Sequence, residues 1–221
     1  MPPKYSQRVR SKPDYRLANG TRVPGVTTIL KVLDKSDYLI PWANKLGFQE
    51  IDSTKYRDEK AMVGTLAHAM ILSDLKGGTP ETYDNSQREI DQANNCFSKY
   101  GAWKKAHDID PILVEGSMVS ELLKFGGTVD FYGRIDEEIT LLDFKTGANL
   151  YPESWYQLAG YGLLLEERGL LVGQRVLLNI GRDETENFIE AKRPGPSHPD
   201  EVLIFQCCRE IYEAKKRLKQ E

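Results

Sequence analysis

Cysteine is scarce in this 221-residue chain. Cys96, Cys207 and Cys208 are too few and too badly spaced for a disulfide framework or a four-cysteine cluster, so a reducing interior compartment is expected. Long apolar runs are missing too. No stretch approaches the ~20 residues of a membrane-spanning helix, and no apolar segment near the N-terminus reads as a secretory signal. The short N-terminus also lacks transit-peptide character, so no membrane partner is expected and the expected location is the cytoplasm. Nor is there a surplus of positive charge. Thirty Lys and Arg against 33 Asp and Glu leave a net charge of −3, which excludes a bulk polycation but not a local basic patch. The first sixteen residues hold Lys4, Arg8, Arg10, Lys12 and Arg16 against Asp14 alone. Such an arm touches phosphates or stays solvated.

What is present is the composition of a globular domain, 40% apolar and 29% charged, with enough residues for a real core. There is no internal repeat and no low-complexity segment. Residues 1–24 are polar and proline-dotted, an irregular arm ahead of one domain spanning 25–221. VTTILKVL (Val26–Leu33) reads as a short helix with Thr27 and Thr28 as its candidate caps. Lys60–Leu75 reads as a helix ended by Gly77 and Gly78, and Ser86–His107 as a long one burying Ile90, Phe97 and Trp103. Three strands follow, at Ile112–Ser120, Gly127–Gly133 and Ile139–Lys145. Helix returns over Pro152–Arg168, with proline near its first turn and Gly169 at its end. Strands at Arg175–Ile180 and Asn187–Ala191 flank the turn GRDET, and an amphipathic helix with a basic end closes the chain over Pro199–Leu218. Helices, three strands, helix, two strands and helix imply an α+β fold, its sheet built from sequential antiparallel strands and covered by helices.

The stretch GGTVDFYGRIDEEITLLDFKTG (Gly126–Gly147) places Asp130, Asp143 and Lys145 in two otherwise apolar strands. If the turn is centred between Asp136 and Glu137, paired residue numbers sum to 273, and Asp130 faces Asp143 with Cβ atoms ~5 Å apart. Lys145 then shares the face of Asp143. Ionising both carboxylates in a half-buried site is unfavourable, and a divalent cation removes the difficulty. Hard oxygen ligands suit Mg²⁺ or Mn²⁺, and a lysine beside them orients or deprotonates a water. A Lys–Asp salt bridge on a solvent-facing hairpin uses the same residues. Three neighbours favour the metal. Gln157 and Tyr161 sit at i, i+4 in the next helix, directed back at the strands. His68 stands within the apolar GTLAHAMIL. Glu115 comes near Asp130 if SELLKFG turns its strand back. Singly, each also reads as an ordinary packing or surface residue.

Together, His68, Glu115, GTVD ending at Asp130, DFK at Asp143–Lys145 and QLAGY at Gln157–Tyr161 resemble the RecB-like branch of the PD-(D/E)XK nucleases. VPGVTTIL, with Trp42 behind it, is similar to the opening of phage exonucleases of this group. The mitochondrial genome maintenance exonuclease is similar in the same elements. The resemblance covers about Val23 to Lys216 and implies a restriction-endonuclease-like core, a central mixed sheet flanked by helices. It implies that Asp130 and Asp143 bind one or two Mg²⁺ or Mn²⁺ ions with His68 and the carbonyl of Phe144. It further implies that Lys145 positions the hydrolytic water, that Glu115 supports the water or a second metal, and that Gln157 and Tyr161 hold the nucleic-acid strand. Asp143 stands where many relatives have glutamate. Iron–sulfur relatives need four cysteines, so no such cluster is expected.

The function implied is a metal-dependent DNA exonuclease acting on single-stranded or frayed ends in replication, recombination or repair. Its setting would be a bacterial or phage-infected cell, with the mitochondrial matrix as the alternative, and replication or recombination proteins are candidate partners. Lys35, Lys45, Lys55, Arg57, Lys60 and the basic arm are candidates for a positive cleft. Tyr5, Tyr15, Tyr38 and Trp42 are candidate stacking platforms for an unpaired strand. Val26–Arg57 is a candidate arch over the site. A duplex-resecting or structure-specific nuclease, or a non-catalytic DNA-binding protein on the same fold, remain alternatives.

Overall fold

A computed structural model describes residues 13–79 and 85–219. Lys4, Tyr5, Arg8, Arg10 and Lys12 lie outside the described residues. A short α1 (Val26–Ile29) runs into a 3₁₀ turn (Leu30–Val32), followed by α2 (Ser36–Phe48), α3 (Ser53–Leu75) and α4 (Gln87–Lys105). Strands β1 (Ile109–Ser120), β2 (Phe125–Ile135) and β3 (Glu138–Thr146) come next, then α5 (Glu153–Glu166), β4 (Gln174–Ile180), β5 (Ile189–Pro194) and α6 (Pro199–Arg217). No helix among the described residues is long and apolar enough to cross a membrane.

The sheet is mixed, in the order β1-β2-β3-β4-β5. This corrects the expectation of sequential antiparallel strands, because β3 and β4 pair parallel, Asp143 opposite Leu177 and Lys145 opposite Asn179. A helix between two strands returns the chain to its starting end, and α5 is such a crossover. The β2–β3 hairpin keeps the expected register, from Ile135 with Glu138 to Phe131 with Leu142. The ladder stops one residue short of Asp130 and Asp143.

Each face of the sheet carries its own core. Against one pack α1, α5 and α6, with Ile29, Phe125, Val129, Leu141, Leu158, Leu177 and Phe205 buried. Against the other pack α3 and α4, with Ala67, Ile71, Cys96, Tyr100, Phe131, Leu142 and Val176. Val129 and Phe131 thus belong to opposite faces, although residues two apart on a regular strand share one. The pleat breaks at Asp130. On β1, Glu115 stands across from that break, between the pairs Val114–Phe131 and Gly116–Val129, and has φ +54°. A left-handed residue inside a strand is strained, and such strain gathers at functional sites.

Local chemistry sets the helix ends. Asp52 caps α3, accepting from the backbone N–H groups of Thr54 and Lys55, so α3 begins seven residues before the expected Lys60. Ser86 and Glu89 form a capping box on α4. Gly25 is the N-cap of α1 and no side chain caps it, so the expected capping role of Thr27 and Thr28 is not realised. The described part of the N-terminal segment folds over itself through a bridge between Arg16 and Arg22. It lays Tyr15 across Gly126, where a Cβ would stand 2.4 Å from the tyrosine ring, and bonds its hydroxyl to Thr128 Oγ1 at 2.9 Å.

Candidate active site

The two aspartates answer to different helices. His68 lies on α3 one turn beyond Gly64, where a Cβ would stand 2.5 Å from Thr146 Oγ1; the bare glycine lets α3 press onto the end of β3. His68 Nε2 is 2.8 Å from Asp130 Oδ2, and the Phe144 N–H donates to the same oxygen at 3.0 Å. Burial pushes the Asp130 carboxyl up, but His68, Lys145 and the Phe144 N–H outweigh it and hold the group below the usual carboxylate range. Asp143 meets α5. Gln157 Nε2 donates to Asp143 Oδ1 at 2.8 Å and lies 3.0 Å from the Tyr161 hydroxyl, while its Oε1 accepts from Lys145 Nζ at 2.9 Å. Asp143 is 2% exposed, and burial pushes its carboxyl up to about 6 against the pull of Lys145, with Asp130 adding to the rise.

Asp143 Oδ2 is buried and accepts from no backbone N–H and no neutral side chain. Its one close partner is the ammonium of Lys145, whose Nζ lies 2.5 Å away and pulls against the burial. A carboxylate that burial still pushes up against that ammonium is unfavourable as an anion, and a hard cation relieves it. Among the described residues, no three His, Cys, Asp or Glu side chains stand together as a ready ion cage. Mg²⁺ commonly uses one or two carboxylates and keeps several waters, so Asp130 and Asp143 fit it.

The other expected site residues divide. Glu115 reaches the ammonium of Lys76 at 2.7 Å. Tyr161 is buried, and burial with the two carboxylates nearby holds its phenol well above the ordinary value. Its hydroxyl accepts from Gln157 Nε2, the other residue expected to hold the strand. Trp42 lines a cavity of about 480 Å³ together with Tyr56, Arg57, Lys60, His68, Thr146 and Arg182. Lys45 is exposed on α2 and is not part of that lining, nor are Lys35 and Lys55. Lys35 pairs with Glu153 at 3.4 Å. Tyr38 donates to Glu153 at 2.5 Å and stacks on Tyr151, while Tyr15 packs on Gly126. Both are structural rather than free platforms. Tyr56 and Arg182 carry no signal in sequence: one lies in the polar first turns of α3, the other in the β4–β5 turn.

No family model matches the chain, and no curated protein does; the mitochondrial resemblance thus has no match in sequence. Among solved structures, a Eubacterium rectale protein named "Putative exonuclease" aligns at 10% identity and TM-score 0.47 over 69% of this chain. The chain spans 65% of that protein's length. The alkaline exonuclease LHK-Exo of Laribacter hongkongensis aligns at 14% identity and TM-score 0.33, covering 70% of this chain and 84% of that one. The same enzyme in complex with dAMP aligns with the same identity and TM-score. Likenesses this loose carry no argument about activity, so function rests on the side chains.

Proposed function

We propose that the chain is a metal-dependent nuclease of the PD-(D/E)XK kind that hydrolyses DNA phosphodiester bonds from free single-stranded or frayed ends, in replication, recombination or repair. One observation carries this reading: the buried Asp143, with Lys145 Nζ 2.5 Å from one oxygen and Gln157 bonded to the other, sits beside the pleat break that carries Asp130. The desolvation of a buried ion pair can exceed its Coulombic gain, so stability alone is a weak reason for this pair.

In this reading Asp130 and Asp143 hold the divalent ion, with His68 and the Phe144 carbonyl completing its shell. The ion supplies Lewis-acid polarisation of the phosphoryl oxygens and a more acidic water. Lys145 offers its ammonium to the attacking water and the scissile phosphate, and Gln157 fixes that ammonium's direction. Tyr161, held neutral, steadies Gln157 through its hydroxyl. Glu115, across from Asp130 and tied to Lys76, serves the water or a second ion. The aromatic pair Trp42–Tyr56, with centroids 6.4 Å apart beside cations, suits unstacked bases better than a duplex.

The test uses linear single strands labelled at the 5′ or 3′ end and a circular single strand, each with Mg²⁺, Mn²⁺ or EDTA. Asp130→Asn and Asp143→Ala are the controls. Metal-dependent shortening of the linear strands alone, reduced at least about a hundredfold in both variants, is expected. Cutting of the circle would make the protein an endonuclease on the same chemistry. Retention of DNA without cutting would make it a binding protein.

A further inference from the structure

The lining of the cavity beside the carboxylates carries three cations, Arg57, Lys60 and Arg182, and no carboxylate. Their carboxylate partners lie outside that lining, so the cavity wall itself presents N–H donors, which suits an anionic ligand. The three cations are not equivalent. Arg57 lies in the open and pairs with its neighbour Asp58 at 2.8 Å. Lys60 Nζ sits 5.7 Å over the Tyr56 ring and 3.6 Å from Asp183. Arg182 is 13% exposed and engages Glu186 through Nε and Nη2, while its Nη1 makes no hydrogen bond among the described residues.

The turn bearing Arg182 is built to hold it still. Lys99, reaching across from α4, donates to the carbonyls of Gly181, Asp183 and Glu186 at 3.2, 2.7 and 3.5 Å. Glu186 also accepts from the Arg182 backbone N–H at 2.8 Å. A Cβ at Gly181 would stand 2.2 Å from the Glu186 carbonyl oxygen, so the turn closes only on glycine there. An ammonium spent on three backbone carbonyls, beside a guanidinium with one free edge, gives Arg182 a fixed direction at little entropic cost on binding.

We propose that Arg182 and Lys60 form a phosphate subsite that grips the backbone of the bound strand next to the carboxylates, with Lys99 as the residue that positions the turn. A guanidinium fork matches the oxygens of a phosphodiester, and it reads the backbone without regard to base. The proposal rests on the nucleic-acid reading of the site but not on turnover.

Binding is measured in EDTA by fluorescence anisotropy, with oligothymidylate and an abasic strand of equal length, across about 50 to 200 mM salt. Arg182→Ala is expected to bind roughly tenfold more weakly and to lower the slope of log affinity against log salt by about 0.7, the value for one phosphate that is no longer neutralised. The same change should appear on the abasic strand. Because Arg182→Ala strands a buried Glu186, the double variant Arg182→Met/Glu186→Gln removes the pair without an orphaned charge and should show the same slope. Altered melting temperature with an unchanged slope in both variants would make Arg182 a structural pair and overturn the subsite. Stronger competition by a mononucleotide than by the strand, at equal phosphate concentration, would overturn the strand reading. The two proposals fail separately. A protein that binds in this way yet never cuts keeps the subsite and loses the nuclease. One that cuts with unchanged slopes keeps the nuclease and loses the subsite. No binding by the wild type in EDTA overturns the subsite, and the cleavage assay with Mg²⁺ or Mn²⁺ decides the nuclease by itself.

Discussion

Burial lets Asp143 keep its proton to about pH 6, whereas an aspartate in the unfolded chain releases it near about 3.9. Between these values the folded chain binds the proton more tightly. Stability therefore falls as pH rises through that window, and the penalty is complete above it. At about 1.4 kcal/mol per tenfold change, its upper limit is roughly 3 kcal/mol. Asp130 runs the other way: its carboxyl is held low, so its contribution is present above the unfolded value and lost as pH falls below it. Asp143→Asn keeps the shape, the Gln157 contact and the Gln157–Lys145 bond while deleting the charge. In EDTA at pH 8, urea unfolding should find the variant about 1–3 kcal/mol more stable, with the gain shrinking towards pH 4.5. Equal stability at pH 8 would mean that the carboxylate is satisfied where it sits. The site would then lose the unfavourable buried charge on which the metal argument turns.

At the scale of elements, α6 is tied to the sheet by Glu201, which is 6% exposed and accepts from both Arg175 and Arg193. Arg193 covers the Trp155 ring at 4.1 Å, and Arg175, 2% exposed, also donates to the Pro194 carbonyl. Glu201→Ala strands a buried guanidinium and should cost about 3–5 kcal/mol, read as a lowered urea midpoint with red-shifted tryptophan emission. A loss below about 1 kcal/mol would show that water screens the cluster. Elements of this kind are legible in sequence where periodicity and punctuation agree: all five strands and α3 to α6 stand within a few residues of expectation, apart from the start of α3. That start is set by the Asp52 cap, and STKYRDE has no apolar stripe to announce it. The helix α2 is hidden because Pro41 lies inside it and Leu39, Ile40 and Phe48 face outward. The parallel pairing of β3 with β4 is legible only if the helix between them is read as a crossover.

For the whole molecule, the two core layers differ in what they hold, and the candidate site lies on the seam between them. Asp130 belongs to the α3 side through His68, and Asp143 to the α5 side through Gln157. The spacing of D, DFK and QLAGY exposes those residues because register and i, i+4 are local rules. The pleat break at Asp130 and Glu115, and the arrival of Tyr56 and Arg182, depend on packing between distant segments and leave no local mark. The least anchored wall is α2, where Leu46 alone among thirteen residues is buried, whereas α3 buries seven residues between Val63 and Leu72. Elements with little burial open locally at a fraction of the global free energy. Amides of Ser36–Phe48 should therefore exchange at least about a hundredfold faster than those of the buried half of α3. Adding a single strand in EDTA should slow α2 in the wild type and do so less in Trp42→Ala, because Trp42 is the α2 side chain that faces the cavity. Mass-detected hydrogen exchange reads both effects. If α2 exchanged as slowly as α3 and ignored the strand, it would be a fixed part of the scaffold, and a strand would have to reach the carboxylates without moving it.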